Sequence, residues 1–510
     1  MDTNNLKLSK DEFIHNNAYT SFSKNKYQIL FIISTILFAV LFFDSINIII
    51  DDTYISARYA KNLVNGYGLV YNPGETPIEG FSNPFYTLFI GFVYFILKLI
   101  NLDYLIESLI LVQVISGLFH LLSIIALISL CKMIFPEDFL KTILVILLYS
   151  SNYFLAANAS YGLETSQYLL VLLLLFIYLK KIELHKKNIY KIHIGLILGI
   201  LSISRPESIL FIVLMIILSF NLKKFNDYSL SFIILFIIFS LYLTFRIFYF
   251  KDFFPNTFYS KMKVFTFGYG LRYLFAGIYY YLAPIFFIVL IKKISLTKSF
   301  SNYTMILLII SQFFFILWAT GDWIPGFRFI IPIFPILLIL SLHFSEKLSI
   351  NVYFFIILIF LLSGYSISQR YFIGTGPEHK SGLFQLSIKE HPYVQTANYL
   401  KKHITSKEYS KTIAIYESGT IPFLVNQKFL DISSINDKHL SRIKALHFEK
   451  IDNDYVFSRK PDYIVLYGVL KYDEFELNQV QKALFNDKRL WEQYYLLTRI
   501  ANTSIILKKK

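Results

Sequence analysis

The sequence has a single cysteine, Cys131, and charged residues make up only 16% of its 510 residues. One cysteine excludes a disulfide framework and any metal or iron–sulfur site that needs several thiolates. Soluble globular domains carry about 25% charged residues, so the low charge argues against an ordinary soluble protein. No group of histidines with the spacing of metal ligands occurs either, so we expect no transition-metal site.

What the sequence has in abundance is apolar surface, since 55% of its residues are hydrophobic and 18% are aromatic. These residues form repeated uncharged runs, such as 27–43, 109–131 and 303–320, each long enough to cross a bilayer core about 30 Å thick. Lysine and arginine number 49 against 34 acidic residues, but the excess is spread over short loops between the runs. Such a distribution orients membrane spans, so membrane lipid is an expected partner and nucleic acid is not.

The lysine-rich loops predict the topology, because short loops rich in Lys and Arg stay in the cytoplasm. The loops used for this assignment carry Lys7, Lys10, Lys24, Lys26, Lys132, Lys141, Lys180, Lys181, Lys186, Lys187, Lys191, Lys223, Lys224, Lys292 and Lys293. The spans then fall near 27–50, 108–131, 142–157, 165–180, 192–204, 208–222, 229–249, 273–291, 303–320, 329–345 and 350–367. We therefore expect a mainly α-helical chain of about eleven spans with a cytoplasmic tail, 1–26. No cleavage site follows the first span, so we expect that span to be kept as an anchor.

The apolar stretch 84–100 is the exception in this scheme. If it crossed the membrane, every later lysine cluster would move to the outer side. We therefore interpret it as an interfacial or re-entrant helix on the outer face, with Pro84 in its first turn and Lys98 near its end. The alternative is a true span with one fewer crossing elsewhere.

The composition changes after Ser368, beyond the membrane module 27–367, and a small extracytoplasmic α/β domain is expected over 368–510. A Gly-Thr-Gly-Pro linker signal at 374–377 precedes it. Strands are predicted at 412–416, 428–432, 463–467 and 504–507, and helical periodicity covers 394–403, 438–446 and 475–485. On its face of the membrane, this domain is expected to hold an acceptor or to cover a cavity.

Ionisable residues beside membrane spans are costly, so those that persist are candidates for function. The first outer loop, 51–107, begins with the adjacent carboxylates Asp51 and Asp52 at the end of the first span. Mutual repulsion and low dielectric raise carboxylate pKa values toward the range of a general base. The alternative is structural, since Asp52 is also placed to cap a helix over 53–64.

Further outer loops add a complementary set of charges, namely Glu164, then Arg205 with Glu207, then Lys261, and finally Asp322, Trp323 and Arg328. Carboxylates and cations at one membrane face suit a substrate with a phosphate head on a lipid tail, because cations hold the phosphate and a carboxylate accepts a proton. Two other interpretations stay open. Each cation also suits anionic lipid headgroups, and the two glutamates also suit structural ion pairs with Arg205.

Several of these segments together resemble a known family. DDTYISARYAKNL from Asp51, GLVYNPGE from Gly68 and EGFSNP from Glu79 resemble the first outer loop of GT-C integral-membrane glycosyltransferases, in the branch of the mycobacterial terminal β-(1→2)-arabinofuranosyltransferase. GLET at Gly162, RPE at Arg205, PNTFYSK at Pro255, GDWIPGFRF at Gly321 and ESGTIP at Glu417, with Asp431, follow in the same order. The Ile-, Phe-, Lys- and Asn-rich composition differs from that of the mycobacterial members, so neither the sugar nor the acceptor carries over.

The resemblance implies an inverting transfer of one sugar from a polyprenyl-phosphate donor to a hydroxyl on the outer face of a bacterial plasma membrane. Asp51 or Asp52 would be the general base, and Asp51 is favoured because it lies nearer the first span. The residues implied to bind the donor phosphate are Lys261, Arg205, Arg328 and Arg58, and those implied to bind substrate are Glu164, Glu207, Glu79, Asn83, Asn256, Asp322 and Trp323. No cofactor is required, although carboxylates could hold Mg²⁺ or Ca²⁺ weakly. The acceptor would be an envelope glycan, a glycolipid or a protein.

Three alternative functions are compatible with a chain of this composition. A lipid-linked saccharide transporter would place ionisable residues near the bilayer midplane within repeated halves, whereas here they lie at span ends and no repeat is visible. A membrane sensor would leave the residues of the first outer loop without a role. Block transfer of a whole oligosaccharide is the closest enzymatic alternative and would need a diphosphate donor.

Overall fold

The computed structural model describes residues 10–261, 267–281, 299–344, 388–404, 409–445, 449–471, 474–500 and 503–510. Four of the sequence predictions lie outside these residues: the last span at 350–367, the linker at 374–377, the boundary at Ser368, and the loop with Lys292 and Lys293. The described part of the span at 273–291 is helical to residue 280. The count of eleven spans therefore stays a prediction.

The membrane module is a bundle of helices that follow the apolar runs closely. They are α1 (Lys10–Ser45), α2 (Asp51–Val64), α3 (Pro84–Leu99), α4 (Leu109–Ile134), α5 (Phe139–Ser150), α6 (Tyr153–Ser160), α7 (Thr165–His185), α8 (Asn188–Ser202), α9 (Glu207–Asn221), α10 (Phe225–Phe250), α11 (Asn256–Lys261), α12 (Phe267–Tyr280), α13 (Phe300–Ala319) and α14 (Phe334–Phe344). By length and composition, four described helices can cross a membrane: the 25–45 part of α1, α4, α10 and α13. The pair α5 and α6, bent by 52°, forms a fifth candidate. The chain is a multi-pass membrane protein.

Close helix contacts in the bundle depend on small residues. Gly195 and Gly199 lie one turn apart on α8 and face α10. A Cβ atom at Gly195 would lie 2.8 Å from the backbone oxygen of Ser231, and one at Gly199 would lie 2.4 Å from Ile238. Glycines at this spacing let two membrane helices approach closely, because packing and not apolar burial holds helices together in lipid.

Helix α3, which lies within the first outer loop, begins and ends at the same end of the helix bundle. At its start, the backbone N–H of Phe85 donates to the carbonyl of Ile203, in the turn between α8 and α9. At its end, the Lys98 ammonium donates to the Val64 carbonyl, where α2 ends. The chain then reaches Leu109, whose carbonyl accepts the Tyr54 hydroxyl of α2. These contacts support the interpretation that α3 does not cross the bundle.

The C-terminal domain is built on a five-stranded sheet in the order β2-β1-β3-β7-β6. Strands β1 (Thr412–Ile415), β2 (Lys428–Asp431) and β3 (Tyr463–Tyr467) are parallel, and β7 (Ser504–Lys509) pairs antiparallel with β3 and with β6 (Tyr494–Ile500). A short hairpin joins β4 (Val469–Lys471) and β5 (Glu474–Glu476). The helices of the C-terminal domain are α15 (Pro392–His403), α16 (Thr420–Leu424), α17 (Lys438–Ser441), α18 (Asn453–Ser458), α19 (Gln479–Phe485) and α20 (Lys488–Gln493). The four predicted strands are confirmed, and β6 was missed because YYLLTRI does not alternate polar and apolar residues.

The two faces of the sheet are buried against different partners. Ile464 and Leu466 of β3 face a core completed by α18 and α19, as the alternation of a strand requires. Tyr463, Val465 and Tyr467 face the opposite way, into a core that also contains residues of α2, α3 and the start of α4. The first outer loop and the C-terminal domain therefore share one hydrophobic core.

Candidate active site between the outer loops and the C-terminal domain

The two adjacent aspartates have different surroundings. Helix α2 begins at Asp51 with Ile50 as its N-cap, so Asp52 does not cap a helix starting at residue 53, as the structural alternative proposed. The Asp51 carboxylate instead accepts the backbone N–H groups of Gly419, at 2.8 Å, and Thr420, at 2.7 Å. Burial raises the pKa of Asp51 to about 6, against the lowering effect of these two bonds. Both Asp51 oxygens are thus engaged in holding the C-terminal domain.

Asp52 faces a more open space than Asp51. Its side chain is 21% exposed, and its nearest cationic partner is the Lys261 ammonium at 3.6 Å. Lys261 ends the short helix α11 and is 40% exposed, so solvent and substrate can reach both groups. The tertiary structure thus joins two site residues that are about two hundred positions apart in the sequence.

Next to this pair lies a buried network of charged side chains. Arg205 forms ion pairs with both Glu164 and Glu207, and Arg328 pairs with Asp322 and lies 3.9 Å from Glu164. The amide of Asn83 donates to Glu164 at 2.9 Å, and the amide oxygen of Asn83 accepts the hydroxyls of Ser56 and Thr87, each at 3.0 Å. Sequence analysis named most of these residues, and the structure brings them together.

The balance of charge in this network limits what it can bind. Three carboxylates, those of Glu164, Glu207 and Asp322, face two guanidinium groups, those of Arg205 and Arg328. Burial opposes ionisation of Glu164, but the nearby Arg205 and Arg328 charges prevail and lower its pKa. Both arginines are buried and paired with carboxylates, whereas Lys261, which pairs with Asp52, is 40% exposed and is therefore the cation more available to a phosphate.

Arg58 occupies a different place from the one implied by the resemblance. Its guanidinium is 2% exposed and donates to the carbonyls of Tyr71, at 2.7 Å, and Gln427, at 2.9 Å. It also donates to the carbonyl of Pro422 and to the side chain of Asn72. These nitrogens hold the first outer loop to the C-terminal domain, and the role of Arg58 in binding the donor phosphate stays a prediction.

Glu79 also lies apart from the network, in a buried ion pair with Arg246 of α10 at 2.6 Å. The Tyr242 hydroxyl donates to Glu79 at 2.5 Å. Burial raises the pKa of Glu79, and Arg246 opposes that rise. Sequence analysis missed Arg246, although a lone arginine within the predicted span 229–249 is a recognisable signal. The pair is a structural connection between the first outer loop and the bundle.

The other two residues expected to bind substrate have clear positions. The Asn256 amide is 4% exposed and donates to three backbone carbonyls of the C-terminal domain. Trp323 is 53% exposed next to Asp322 and remains available to a sugar or a lipid. Within the described ranges, no group of three or more His, Cys, Asp or Glu side chains is arranged to hold a metal ion. Weak binding of Mg²⁺ or Ca²⁺ stays a prediction.

Comparison of the whole chain with solved structures finds similar membrane proteins. ArnT from Cupriavidus metallidurans bound to undecaprenyl phosphate superimposes with a TM-score of 0.61 at 11% identity, over 94% of this chain and 98% of ArnT. The chain has the GT-C fold. ArnT from the same organism in the apo state gives 0.60 at 11% identity, over 95% and 98% of the two chains. The Archaeoglobus fulgidus oligosaccharyltransferase with Zn and sulfate gives 0.50 at 12% identity, over 86% of this chain and 67% of that one.

Sequence comparison adds information on the C-terminal domain only. A domain of unknown function, DUF8728, matches residues 385–506. No curated protein matches the chain. The matched region coincides with the sheet domain that contacts Asp51 and Asn256. The comparisons confirm the fold class predicted from the sequence, a helical GT-C membrane protein with a small C-terminal sheet domain.

Proposed function

We propose that this chain is a glycosyltransferase that moves a sugar from a polyprenyl-phosphate donor to an acceptor hydroxyl. The observation that carries the proposal is the accessible pair of Asp52 and Lys261, 3.6 Å apart beside a buried ionic network. The pair supplies one carboxylate for the acceptor proton and one ammonium for the donor phosphate. The GT-C fold, shared with an ArnT structure that contains undecaprenyl phosphate, supports a lipid-linked donor.

In this mechanism the base is Asp52, and not Asp51 as the position along the sequence favoured. Asp52 takes the proton of the acceptor hydroxyl, and the acceptor oxygen forms a bond to the anomeric carbon. The bond from that carbon to the phosphate oxygen breaks, and the lipid phosphate leaves with the electron pair next to Lys261. Inversion needs the base opposite the leaving group, so the sugar enters between the two side chains and separates them.

Arg205 and Arg328 have a supporting role in this mechanism. Each is buried and already paired with carboxylates, so binding phosphate would break ion pairs that have lost their hydration. Their network holds Glu164 and Asn83, and through Asn83 it holds Ser56 of α2. The network thereby fixes the helix that carries Asp52. Trp323, on the same loop as Arg328, is proposed to contact the sugar or the lipid.

The finer features of the reaction rest on the sequence motifs. They favour transfer of a single sugar, whose identity stays open, to an envelope glycan, glycolipid or protein. The proposed reaction takes place on the outer face of a bacterial plasma membrane, and the lysine-rich loops favour an N-terminus in the cytoplasm. The C-terminal domain, which packs against the loop that carries Asp52, is proposed to hold the acceptor or to cover the cavity.

The test compares wild type with Asp52→Asn, Asp51→Asn and Lys261→Met, each purified into lipid nanodiscs. Host lipid extract and envelope acceptor are added, and mass spectrometry follows which polyprenyl-phosphate sugar is consumed. We expect Asp52→Asn to lower the rate about 10²- to 10⁴-fold, the usual contribution of a general base. Asp51→Asn should retain most of the activity at temperatures where it stays folded. Asp227→Asn, at an exposed carboxylate of α10, is the control.

The opposite result for the two aspartates would return the role of base to Asp51. No donor consumption by wild type, together with movement of a saccharide across vesicles, would establish a transporter instead. A second candidate enzyme is a block oligosaccharide transferase, which the fold similarity to the archaeal oligosaccharyltransferase supports. Consumption of a diphosphate-linked oligosaccharide in the same assay would select it.

A further inference from the structure

The short helix that carries Lys261 is attached to the C-terminal domain at its first residue. The Asn256 amide nitrogen lies 2.8 Å from the Ile435 carbonyl and 3.2 Å from the carbonyls of Ser434 and Asp437. The amide oxygen accepts from the Ser441 hydroxyl at 2.8 Å and from Arg442 at 3.1 Å. With both ends of the amide engaged, Asn256 has little capacity to bind a sugar.

The same helix is attached to the C-terminal domain again near its other end. The hydroxyl oxygens of Ser260 and Ser434 are 2.7 Å apart, and the Lys450 ammonium donates to the Tyr259 carbonyl at 2.7 Å. The Arg442 guanidinium lies over the Tyr259 ring, 3.3 Å from its centroid. The C-terminal domain therefore holds helix α11 near both of its ends, and the backbone N–H of Asn256 also donates to the Glu79 carbonyl of the first outer loop at 2.8 Å.

Helix α2, which carries Asp52, is attached to the same C-terminal domain. Asp51, adjacent to Asp52, accepts the N–H groups of Gly419 and Thr420. Two turns further along α2, Arg58 donates to carbonyls that follow α16. The C-terminal domain thus holds both the helix that carries Asp52 and the helix that carries Lys261.

We propose that the C-terminal domain sets the position of the lysine that faces the catalytic carboxylate, and that Asn256 is the positioning residue through which it does so. Six residues of helix extend about 9 Å, and this short span connects the buried amide to the exposed ammonium. Loss of the amide would loosen the start of α11, which then keeps only the backbone bond from Asn256 to Glu79, and would shift Lys261 relative to Asp52. The inference rests on the proposed role of Lys261 in binding the donor phosphate.

The experiment measures the dissociation constant for undecaprenyl phosphate with the full chain in nanodiscs. Four proteins are compared: wild type, Lys261→Met, Asn256→Ala and the double variant. Lys261→Met should raise the dissociation constant about tenfold, as expected for loss of one charge-assisted contact. Asn256→Ala should raise it by a similar factor. The double variant should bind no more weakly than Lys261→Met alone, because both changes remove the same contact.

The matched control is Asn72→Ala. The Asn72 amide is also buried and also bonds to the C-terminal backbone, donating to the Phe429 carbonyl and accepting its N–H, but it lies on the first outer loop, away from α11. This variant should lower the melting temperature and leave the dissociation constant within about twofold of wild type. If the dissociation constant rises equally in Asn72→Ala and Asn256→Ala, the cause is a general loss of structure, and the proposal is overturned.

A milder variant covers the case in which Asn256→Ala does not fold. Arg442→Gln removes one bond to Asn256, together with the ion pair of Arg442 with Asp252 and its contact with the Tyr259 ring. The side chain is one-third exposed, so the buried core stays intact. It should weaken lipid-phosphate binding about threefold, and not at all in the Lys261→Met background.

The outcomes separate the two proposals. If Lys261→Met leaves binding unchanged, the proposed role of the lysine fails, and the inference fails with it. If Lys261→Met weakens binding but Asn256→Ala and Arg442→Gln do not, only the positioning role fails. Multiplicative effects in the double variant would show that Asn256 acts independently of Lys261, which also overturns the inference.

Discussion

The backbone of Gly419 lies directly against Asp51, with its N–H bonded to the Asp51 carboxylate at 2.8 Å. A Cβ atom at Gly419 would lie 1.8 Å from the backbone oxygen of Asp51, closer than any real contact. The glycine is not required for its backbone angles, since its φ is −104°. It is required because two backbones meet at this point, where the C-terminal domain joins the first outer loop.

Gly419→Ala should therefore loosen this junction. Because the clash is with backbone atoms that cannot rotate away, we expect a loss of about 1–3 kcal/mol in unfolding free energy. Thermal denaturation in detergent would measure it. Gly268→Ala is the control, since nothing lies within 4 Å of its Cβ position, and it should change stability by less than about 0.5 kcal/mol. Equal melting temperatures for the two variants would contradict the packing described here.

Asp51 should make stability depend on pH. Burial raises its pKa to about 6, whereas a carboxyl in an unfolded chain has a pKa of about 3.9. The folded state thus binds the proton more tightly, and this contribution to stability is present below about pH 4 and is lost as the pH rises through about 6. The full effect is at most about 3 kcal/mol.

Asp51→Asn removes this titration, so its melting temperature should rise relative to wild type as the pH increases from about 4 to about 7. Melting curves of both proteins across that window measure the difference. Asp227→Asn, at an exposed position, controls for the loss of a carboxylate. A difference between Asp51→Asn and wild type that stays constant with pH would show that Asp51 does not titrate in this range.

The buried pair of Glu79 and Arg246 should be costly to break from one side. Arg246→Gln leaves a carboxylate whose side chain is 1% exposed without its counter-charge, which should cost about 3–5 kcal/mol. The double variant Glu79→Gln with Arg246→Met should recover most of that loss. Lys224→Gln breaks the pair with Asp227, whose side chains are 53% and 58% exposed, and should cost less than about 1 kcal/mol. Chemical denaturation would measure the unfolding free energies of the three variants and rank them.

Helix α8 should not tolerate a large residue where it meets α10. Gly195→Leu places its Cβ 2.8 Å from the Ser231 backbone oxygen, so the two helices must separate. We expect a loss of at least about 1–3 kcal/mol and a lower yield of folded protein, measured by size-exclusion chromatography and thermal unfolding. Gly268→Leu, at an open position, should behave like wild type. A stable Gly195→Leu protein would show that the helices do not depend on close approach.

Local sequence patterns predicted much of this structure. The apolar runs located the helices of the bundle, and the alternation of charge between loops kept α3 from being counted as a crossing. Strands β1, β2, β3 and β7 lie where short strands were predicted from the sequence. These features depend on hydrophobicity and charge within short windows, which is why they can be read without tertiary information.

Contacts between distant parts of the chain could not be predicted. Arg58 and Asp51 were named as site residues, but nothing in the sequence indicated that both bind backbone groups more than 360 positions away. The counter-charge of Glu79 lies 167 positions along the chain, on a helix assigned only as a span. A carboxylate or a guanidinium looks the same in a sequence whether its partner is a substrate or a distant backbone group.

The sequence by itself determined that this is a polytopic membrane protein with its ionisable side chains at span ends and a small α/β domain after them. Hydrophobic length and charge asymmetry act locally, so composition is enough to establish them. Only the tertiary structure decided which of two adjacent aspartates is buried against Gly419 and which faces Lys261. That difference arises from the folded contact between the first outer loop and the C-terminal domain, because successive residues of a helix point in different directions.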